Sequence, residues 1–365
     1  MFRIPKNAHI WLPGLLASQL SASRRRNPPK RVWLMIGDHY EPLWKGADER
    51  TGLERVAVWK RYWPEIASRH CDSAANSPKY TFFFPQEEYR PQFLDPLAEM
   101  TERGIGDVEI HIHHDGEGEQ NFVDRMSSFV EVLSERHGLL HQIDGRSVFG
   151  FIHGNWALDN SRPDGRWCGL NNEITLLQKL GCYADFTEPS APNGTQVHMI
   201  NSIYWATDDP LRPKSHDRGV PVEPGSPDHP DDLLMITGPL GLRYRNHGGA
   251  HSWTPRLDCG EIACYDPPTS RRIGLWLDVA PRIGDDVFIK LYAHGAQERH
   301  ANVLLHGDLD KLFSGIIAET RKRGLDLHFA SAWDMRQAVE ALRKQECPVQ
   351  AVGPKAGQPE VKVLD

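Results

Sequence analysis

The chain has 365 residues, and its 42 Lys plus Arg against 49 Asp plus Glu leave a formal net charge of -7 at pH 7. With 39% hydrophobic and 25% charged residues the composition is globular, which excludes a disordered or collagenous chain. The acidic balance speaks against nucleic acid, which needs a basic face, and the lack of any apolar run of about 18 residues speaks against a membrane-spanning helix.

The first 30 residues read as an N-terminal arm. Arg3 and Lys6 before the apolar stretch from Ile10 to Ala17 imitate a signal peptide, but His9 and Pro13 interrupt that stretch and Arg24 to Arg26 follow it. The expectation is a cytoplasmic protein whose arm packs loosely or touches a membrane face. Residues 31–37 (RVWLMIG) are an apolar, β-prone run, and residues 52–70 carry apolar positions at helical spacing. Residues 80–84 (YTFFF) read as a strand. Residues 92–103 place Phe93, Leu94, Leu97 and Met100 on one helical face, stopped by Gly104.

The alternation continues with a strand at 107–113 (DVEIHIH), an amphipathic helix at 119–137 and a strand at 147–153 (SVFGFIH). A helix at 172–180, closed by Gly181, leads into a short strand at 182–185. The pattern fails between 187 and 270, which holds 12 of the 27 prolines, and this segment reads as a long loop-rich insertion. It returns with a strand at 287–294 (VFIKLYAH), a helix at 308–323 and a strand at 325–329. A capping box at Ser331–Asp334 then opens a last helix through Leu342. Residues 346–365 read as a disordered tail. Repeated βα units predict an α/β fold with a parallel sheet, open or closed into a barrel.

The six cysteines form no CxxC pair, so reduced thiols are expected rather than a disulfide framework or a zinc ribbon. No GxSxG, GxxxxGK[ST], HExxH or GxGxxG is present, which disfavours serine hydrolases, NTPases and dinucleotide enzymes.

Several strands end in polar clusters: Asp38-His39-Tyr40-Glu41, then His111, His113, His114 and Asp115, then His153-Gly154-Asn155-Trp156, then Asp185, then His294. In an α/β barrel the C-terminal strand ends share the face that carries the active site. His111 and His113, two apart on a strand, point to one side and suit two imidazole ligands of one metal. Asp38 would add a carboxylate. Such a mixed set with an open position suits Zn²⁺ first, and also Co, Mn or Fe. His39 either caps the metal or bonds a backbone carbonyl. Trp156 either stacks on a sugar ring or packs beneath the loops. Trp59 and Trp63 read as helix core.

Residues 36–39 (IGDH), 109–114 (EIHIHH), 151–156 (FIHGNW) and 289–294 (IKLYAH) resemble the motifs of the NodB-type polysaccharide deacetylases, carbohydrate esterase family four. The resemblance spans about residues 31–342 outside the insertion. It implies a distorted (β/α)7 barrel over residues 31–345 with one divalent metal. Gly37 stands where the family has the first aspartate of its pair, and the third motif lacks the family arginine. The expected function is metal-dependent hydrolysis of an N-acetyl or other acyl group from an amino sugar of a polysaccharide or its precursor. In this reading Asp38, His111 and His113 hold the metal, with His114 or His153 completing the set if Asp38 is instead the base. The base is Asp38, Asp115 or Glu41, and His294 protonates the leaving amine. His153, Asn155, Trp156 and Asp185 line the carbohydrate site. Two other classes fit the same residues: another metal hydrolase of amidohydrolase or glycosidase type, and a metal-free carbohydrate-binding relative.

Overall fold

A computed structural model describes residues 5–24, 27–246 and 253–352. Helix α1 (Ala8–Arg24) comes first. It is a docked element rather than a loose arm. Trp11 and Leu15 are buried against Ala191, Ile200 and Leu240. Gly14 lies so close to the carbonyl of His198 that a Cβ there would sit 2.3 Å from the oxygen.

The expected alternation of strand and helix follows: β1 (Arg31–His39), α2 (Glu49–Ser68), β2 (Tyr80–Pro85), α3 (Pro91–Glu102), β3 (Gly106–Ile112) and α4 (Glu119–Glu131). Next come β4 (His141–Ile143), β5 (Arg146–His153), α5 (Glu173–Leu180) and β6 (Cys182–Asp185). Asp48 caps the start of α2 by accepting from the Thr51 N–H, and Gly181 ends α5 in the left-handed conformation that lets a chain leave a helix without a Cβ clash.

The segment expected to be an insertion of loops does more than that. It supplies β7 (Ile203–Ala206), β8 (Val220–Pro221) and β9 (Leu233–Ile236) to the main sheet. It also forms a separate hairpin, β10 (Gly241–Asn246) with β11 (Trp253–Asp258). The remaining elements are α6 (Ser270–Val279), β12 (Arg282–Ile283), β13 (Asp286–Ala293), α7 (Glu298–Val303), α8 (Leu309–Arg323), β14 (Asp326–Phe329) and α9 (Ala332–Arg343). A short helix, α10 (Pro348–Ala351), occupies part of the expected tail, and residues 353–365 lie outside the described residues.

The sheet runs β12-β13-β1-β2-β3-β5-β6-β9-β7-β8, with β14 paired to β1 and β4 to β5. From β13 to β9 every pairing is parallel. Side chains alternate between two faces. Val32, Leu34, Ile36, Phe82, Phe84, Val108, Ile110, Phe149, Phe151, Ile289 and Leu291 face a core shared with α2, α3, α4, α5, α6 and α8. Trp33, Met35, Phe83, Ile152, Phe288 and Ile236 face a second core. Helix α9 closes that second core at the N-terminal strand ends: the Ala332 N–H donates to Thr81 Oγ1 and Trp333 stacks on His141.

The sheet curls until its far strands meet. The Lys290 ammonium, buried on β13, donates to the Phe186 carbonyl at 2.5 Å and the Glu188 carbonyl at 2.7 Å, just past β6. Just past β9, the Gly238 N–H donates to the same Glu188 carbonyl at 2.9 Å. A Cβ on Gly238 would lie 2.6 Å from the Lys290 carbonyl oxygen. Among the described residues no strand ladder joins β9 to β13, so side-chain and loop contacts span this seam.

Candidate metal centre

On the second face, at the C-terminal strand ends, the sheet delivers an imidazole cluster. Residue parity explains its membership. His39 follows Trp33, Met35 and Gly37 on β1, His111 on β3 and His113 one residue past its end follow Glu109, and Tyr292 on β13 and His294 one residue past its end follow Lys290. The rings of His39 and His111 lie 4.9 Å apart, those of His39 and His294 4.9 Å, and those of His111 and His113 4.6 Å. Glu41, in the loop after β1, places its carboxylate 3.6 Å from Nε2 of both His111 and His113. Ligand atoms of His39, Glu41 and His111 all lie within 4.8 Å of one another.

The hydrogen bonds behind these rings fix their tautomers. His111 Nδ1 lies 2.7 Å from the Ile152 carbonyl, which only accepts, so Nδ1 carries the proton and Nε2 presents its lone pair. That Nε2 is buried and has no hydrogen-bond partner. A buried orphan lone pair beside a carboxylate and two further imidazoles is what a metal ligand looks like without its ion. His113 Nδ1 donates to Glu87 at 2.6 Å, leaving its own Nε2 turned toward Glu41. Glu87 is supplied by the short turn after β2.

Burial works against charge throughout this cluster. It drives His39 well below the usual histidine range, with the His294 and His111 charges adding to it. Burial also takes His294 down to about 4, against the pull of Glu41. For Glu41 burial pushes the other way, but the nearby imidazoles, His111 foremost and then His294 and His113, outweigh it and hold the carboxyl low. In His113 the loss of solvent is outweighed by Glu87, and its value rises.

Of the residues singled out from sequence, His111, His113 and His294 meet here. Trp156 joins them at the rim, 5.7 Å from the His39 ring and 6.4 Å from His294. Its neighbour Asn155 shares a left-handed turn with it, φ 55° for both. Asp38 does not join. It points to the opposite face, where both its oxygens accept the Gly295 N–H, at 2.7 and 2.9 Å, and Oδ2 also accepts the Tyr80 hydroxyl at 2.6 Å. Glu41 takes the carboxylate place expected of Asp38. Asp185 is buried, with its oxygens taken by the Thr187 N–H and hydroxyl. Asp115 accepts from the Trp167 N–H at 2.7 Å and faces Arg166 in the loop after β5, away from the imidazoles.

His153 also faces the other way, following Phe149 and Phe151 into the helix-covered core. There it forms a second group with His114, Cys168 and Glu173, all four buried and with ligand atoms within 4.8 Å of one another, a set able to hold a metal ion. His114 Nε2 is 2.9 Å from His153 Nε2 and 3.0 Å from Glu173 Oε1. Burial raises the Glu173 carboxyl, but the His153 and His114 charges outweigh it and bring the value to about 2.

Sequence reasoning held His39 and Glu41 as candidates and missed Glu87, Cys168 and Glu173. Glu87 carried the same strand-end signal as the others, two residues after YTFFFP ends at Pro85. Cys168 and Glu173 had none, since a loop and a helix start reach the group only through the fold. Among the described residues no helix is long and apolar enough to cross a membrane. Compared with known proteins, the chain matches no family model, and no curated protein matches it.

Proposed function

We propose that the chain is a metal-dependent hydrolase that removes an N-acetyl group from an amino sugar, on a distorted (β/α)7 barrel like that of the NodB-type deacetylases. The observation that carries this reading is the orphan Nε2 of His111, aimed into a partly open cluster of His39, Glu41, His113 and His294. The donor set of imidazoles and a carboxylate fits Zn²⁺, with Co, Mn and Fe as the other metals of similar ligand taste. His39, Glu41 and His111 would hold the ion, and when bound it supplies Lewis-acid polarisation of the acyl carbonyl.

The remaining work belongs to the chain's own groups. His113 is part-exposed and its Nδ1 proton is anchored on Glu87, so when the ring is neutral its Nε2 can take a proton from the attacking water, and the same Glu87 stabilises the imidazolium that forms. Water adds its oxygen to the acyl carbon, the carbon–nitrogen bond breaks, and His113 returns the proton to the leaving amine. The products are acetate and the free amino sugar. His294 is held neutral by burial, so it suits a hydrogen-bonding role better than the acid role expected from sequence. Trp156, half-buried at the rim with Tyr292 beneath it, offers an aromatic face on which a sugar ring stacks.

The test is acetate release from N-acetylglucosamine oligosaccharides by protein loaded with Zn²⁺ or Co²⁺, with metal content measured alongside. The parent should release acetate. His111→Ala should lose both activity and one metal equivalent, and His113→Ala should keep the metal and lose activity about 100-fold or more. A metal-loaded parent that releases no acetate from any N-acetylhexosamine substrate would overturn the reading.

A further inference from the structure

We propose that His114, His153, Cys168 and Glu173 form a second metal site, closed and structural, that takes Zn²⁺ and staples the loop between β5 and α5. It lies on the opposite face of the sheet from the imidazole cluster and does not depend on the function proposed for that cluster.

The case begins with a shortage of protons. His153 Nδ1 donates to the Gly154 carbonyl at 2.5 Å, so His153 Nε2 has only a lone pair to offer. Facing it are Glu173 Oε1 at 3.4 Å, which also only accepts, and His114 Nε2 at 2.9 Å. One N–H, from His114, is left to serve both acceptors. The opposite ring nitrogen of His114 is buried and unpartnered, with Glu117 3.8 Å away. No Lys or Arg is paired with Glu173 among the described residues, although its carboxylate is fully buried. A cation between these atoms takes the lone pairs of His153 Nε2, His114 Nε2 and Glu173 Oε1 together and leaves the His114 ring proton on Nδ1, on the side of Glu117, while the Asp159 N–H already serves Glu173 Oε2 at 2.7 Å.

The spacing is close to what a metal needs. Bonds of about 2.0 Å to nitrogen and oxygen and about 2.3 Å to sulfur set tetrahedral ligand atoms about 3.3 to 3.6 Å apart. Here the separations are 2.9, 3.0 and 3.4 Å among His114 Nε2, His153 Nε2 and Glu173 Oε1, the Cys168 sulfur is 3.3 Å from the other Glu173 oxygen, and one ligand atom from each of the four lies within 4.8 Å of the rest. The N–H groups of Asn160 and Leu170 both point at the Cys168 sulfur, at 3.3 and 3.4 Å, and would serve a metal-bound thiolate as outer donors. In the absence of metal the thiol proton rests between sulfur and Glu173 or the Leu170 carbonyl. On binding it leaves to solvent. Four protein ligands with no part-exposed member make a structural site; an open position would make a catalytic one.

The four ligands come from four places: the end of β3, the end of β5, the loop, and the first turn of α5. The loop between them, residues 154–172, holds only two short 3-10 turns. It carries left-handed backbone at Asn155, Trp156, Asp159, Asn160 and Trp167, each of which costs energy that surrounding contacts must hold in place. A metal cross-link supplies that restraint and sets Trp156 at the rim of the other cluster.

Cobalt separates the two sites, because only this one contains a thiolate. The full-length protein is stripped with chelator, reloaded with Co²⁺ and read by absorption and metal analysis. A near-ultraviolet thiolate-to-cobalt charge-transfer band is expected in the parent. Cys168→Ser should lose the band and one metal equivalent, whereas His111→Ala should keep the band and lose the other equivalent. The parent spectrum needs no variant to fold: a cobalt-loaded parent without the band overturns the proposal. So does a Cys168→Ser protein that holds as much metal as the parent.

Discussion

Asp38 and His39 are chain neighbours at the end of β1 and serve opposite faces of the sheet. The strand-end rule brought both to the right end of the molecule but said nothing about which face each takes. Parity settles it: Trp33, Met35 and His39 share one face, and Val32, Ile36 and Asp38 the other. His111 and His113 were legible because a spacing of two keeps both on one side. His153 and Asp38 were misplaced for the same reason in reverse. Asp38 has a thermodynamic signature of its own. Burial is the largest influence and raises its carboxyl from 3.8 to about 7, against the hydrogen bonds of Tyr80 and Gly295. Between those values the unfolded chain binds fewer protons than the fold, so this group's contribution to stability falls as pH rises through that window. The ceiling is about 4 kcal/mol. Asp38→Asn keeps both hydrogen-bonding partners within reach and removes the titration. The parent's urea-unfolding stability should therefore drop relative to the variant from about pH 4 to about pH 7, and a constant difference would refute the assignment.

Elements with long periodic patterns and explicit punctuation were readable. Gly104 and Gly181 stop their helices where expected, and Ser331 and Asp334 form the full capping box at the start of α9. Removing the Ser331 hydroxyl should cost about 1 kcal/mol in urea or thermal unfolding, with Ser331→Asp retaining most of the stability. Close packing gives a sharper case after β13. A Cβ on Gly295 would stand 2.1 Å from Asp38 Oδ2 and 2.4 Å from the Trp59 ring, and the Trp59 indole N–H is already committed to the Gly295 carbonyl. Gly295→Ala should cost about 2 to 3 kcal/mol by the same measurement, as overpacking of a rigid core does. What sequence could not show were β7 and β9, four residues each in a proline-rich stretch. Runs that short carry too few residues for any period to stand out, and their place in the sheet is settled by distant partners.

At the scale of the whole molecule, the alternating units implied a parallel α/β sheet, and a largely parallel sheet is what forms, with most of its helices on one face and α9 closing the other core. The curl and its seam were not readable, since neither Lys290 nor Gly238 lies in a recognisable pattern. Lys290 sits among two buried carboxyls, Asp185 and Glu188, each raised to about 7 chiefly by burial, and burial brings the ammonium itself down to about 8. Lys290→Met would leave the Phe186 carbonyl without this donor and Asp185 without its cation, while Lys214 still serves Glu188. A loss of about 3 kcal/mol of unfolding free energy is expected, with metal content unchanged. Unaltered stability would show that the seam is held by other means.

A gap spanned by an ammonium, a loop N–H and close backbone packing rather than by a ladder has no repeating register to preserve. Strands on either side can separate or approach by fractions of a residue without breaking a repeating pattern of bonds. The line is held by particular atoms rather than by a repeat, so each of its contacts can be exchanged singly while the paired strands on either side keep their register.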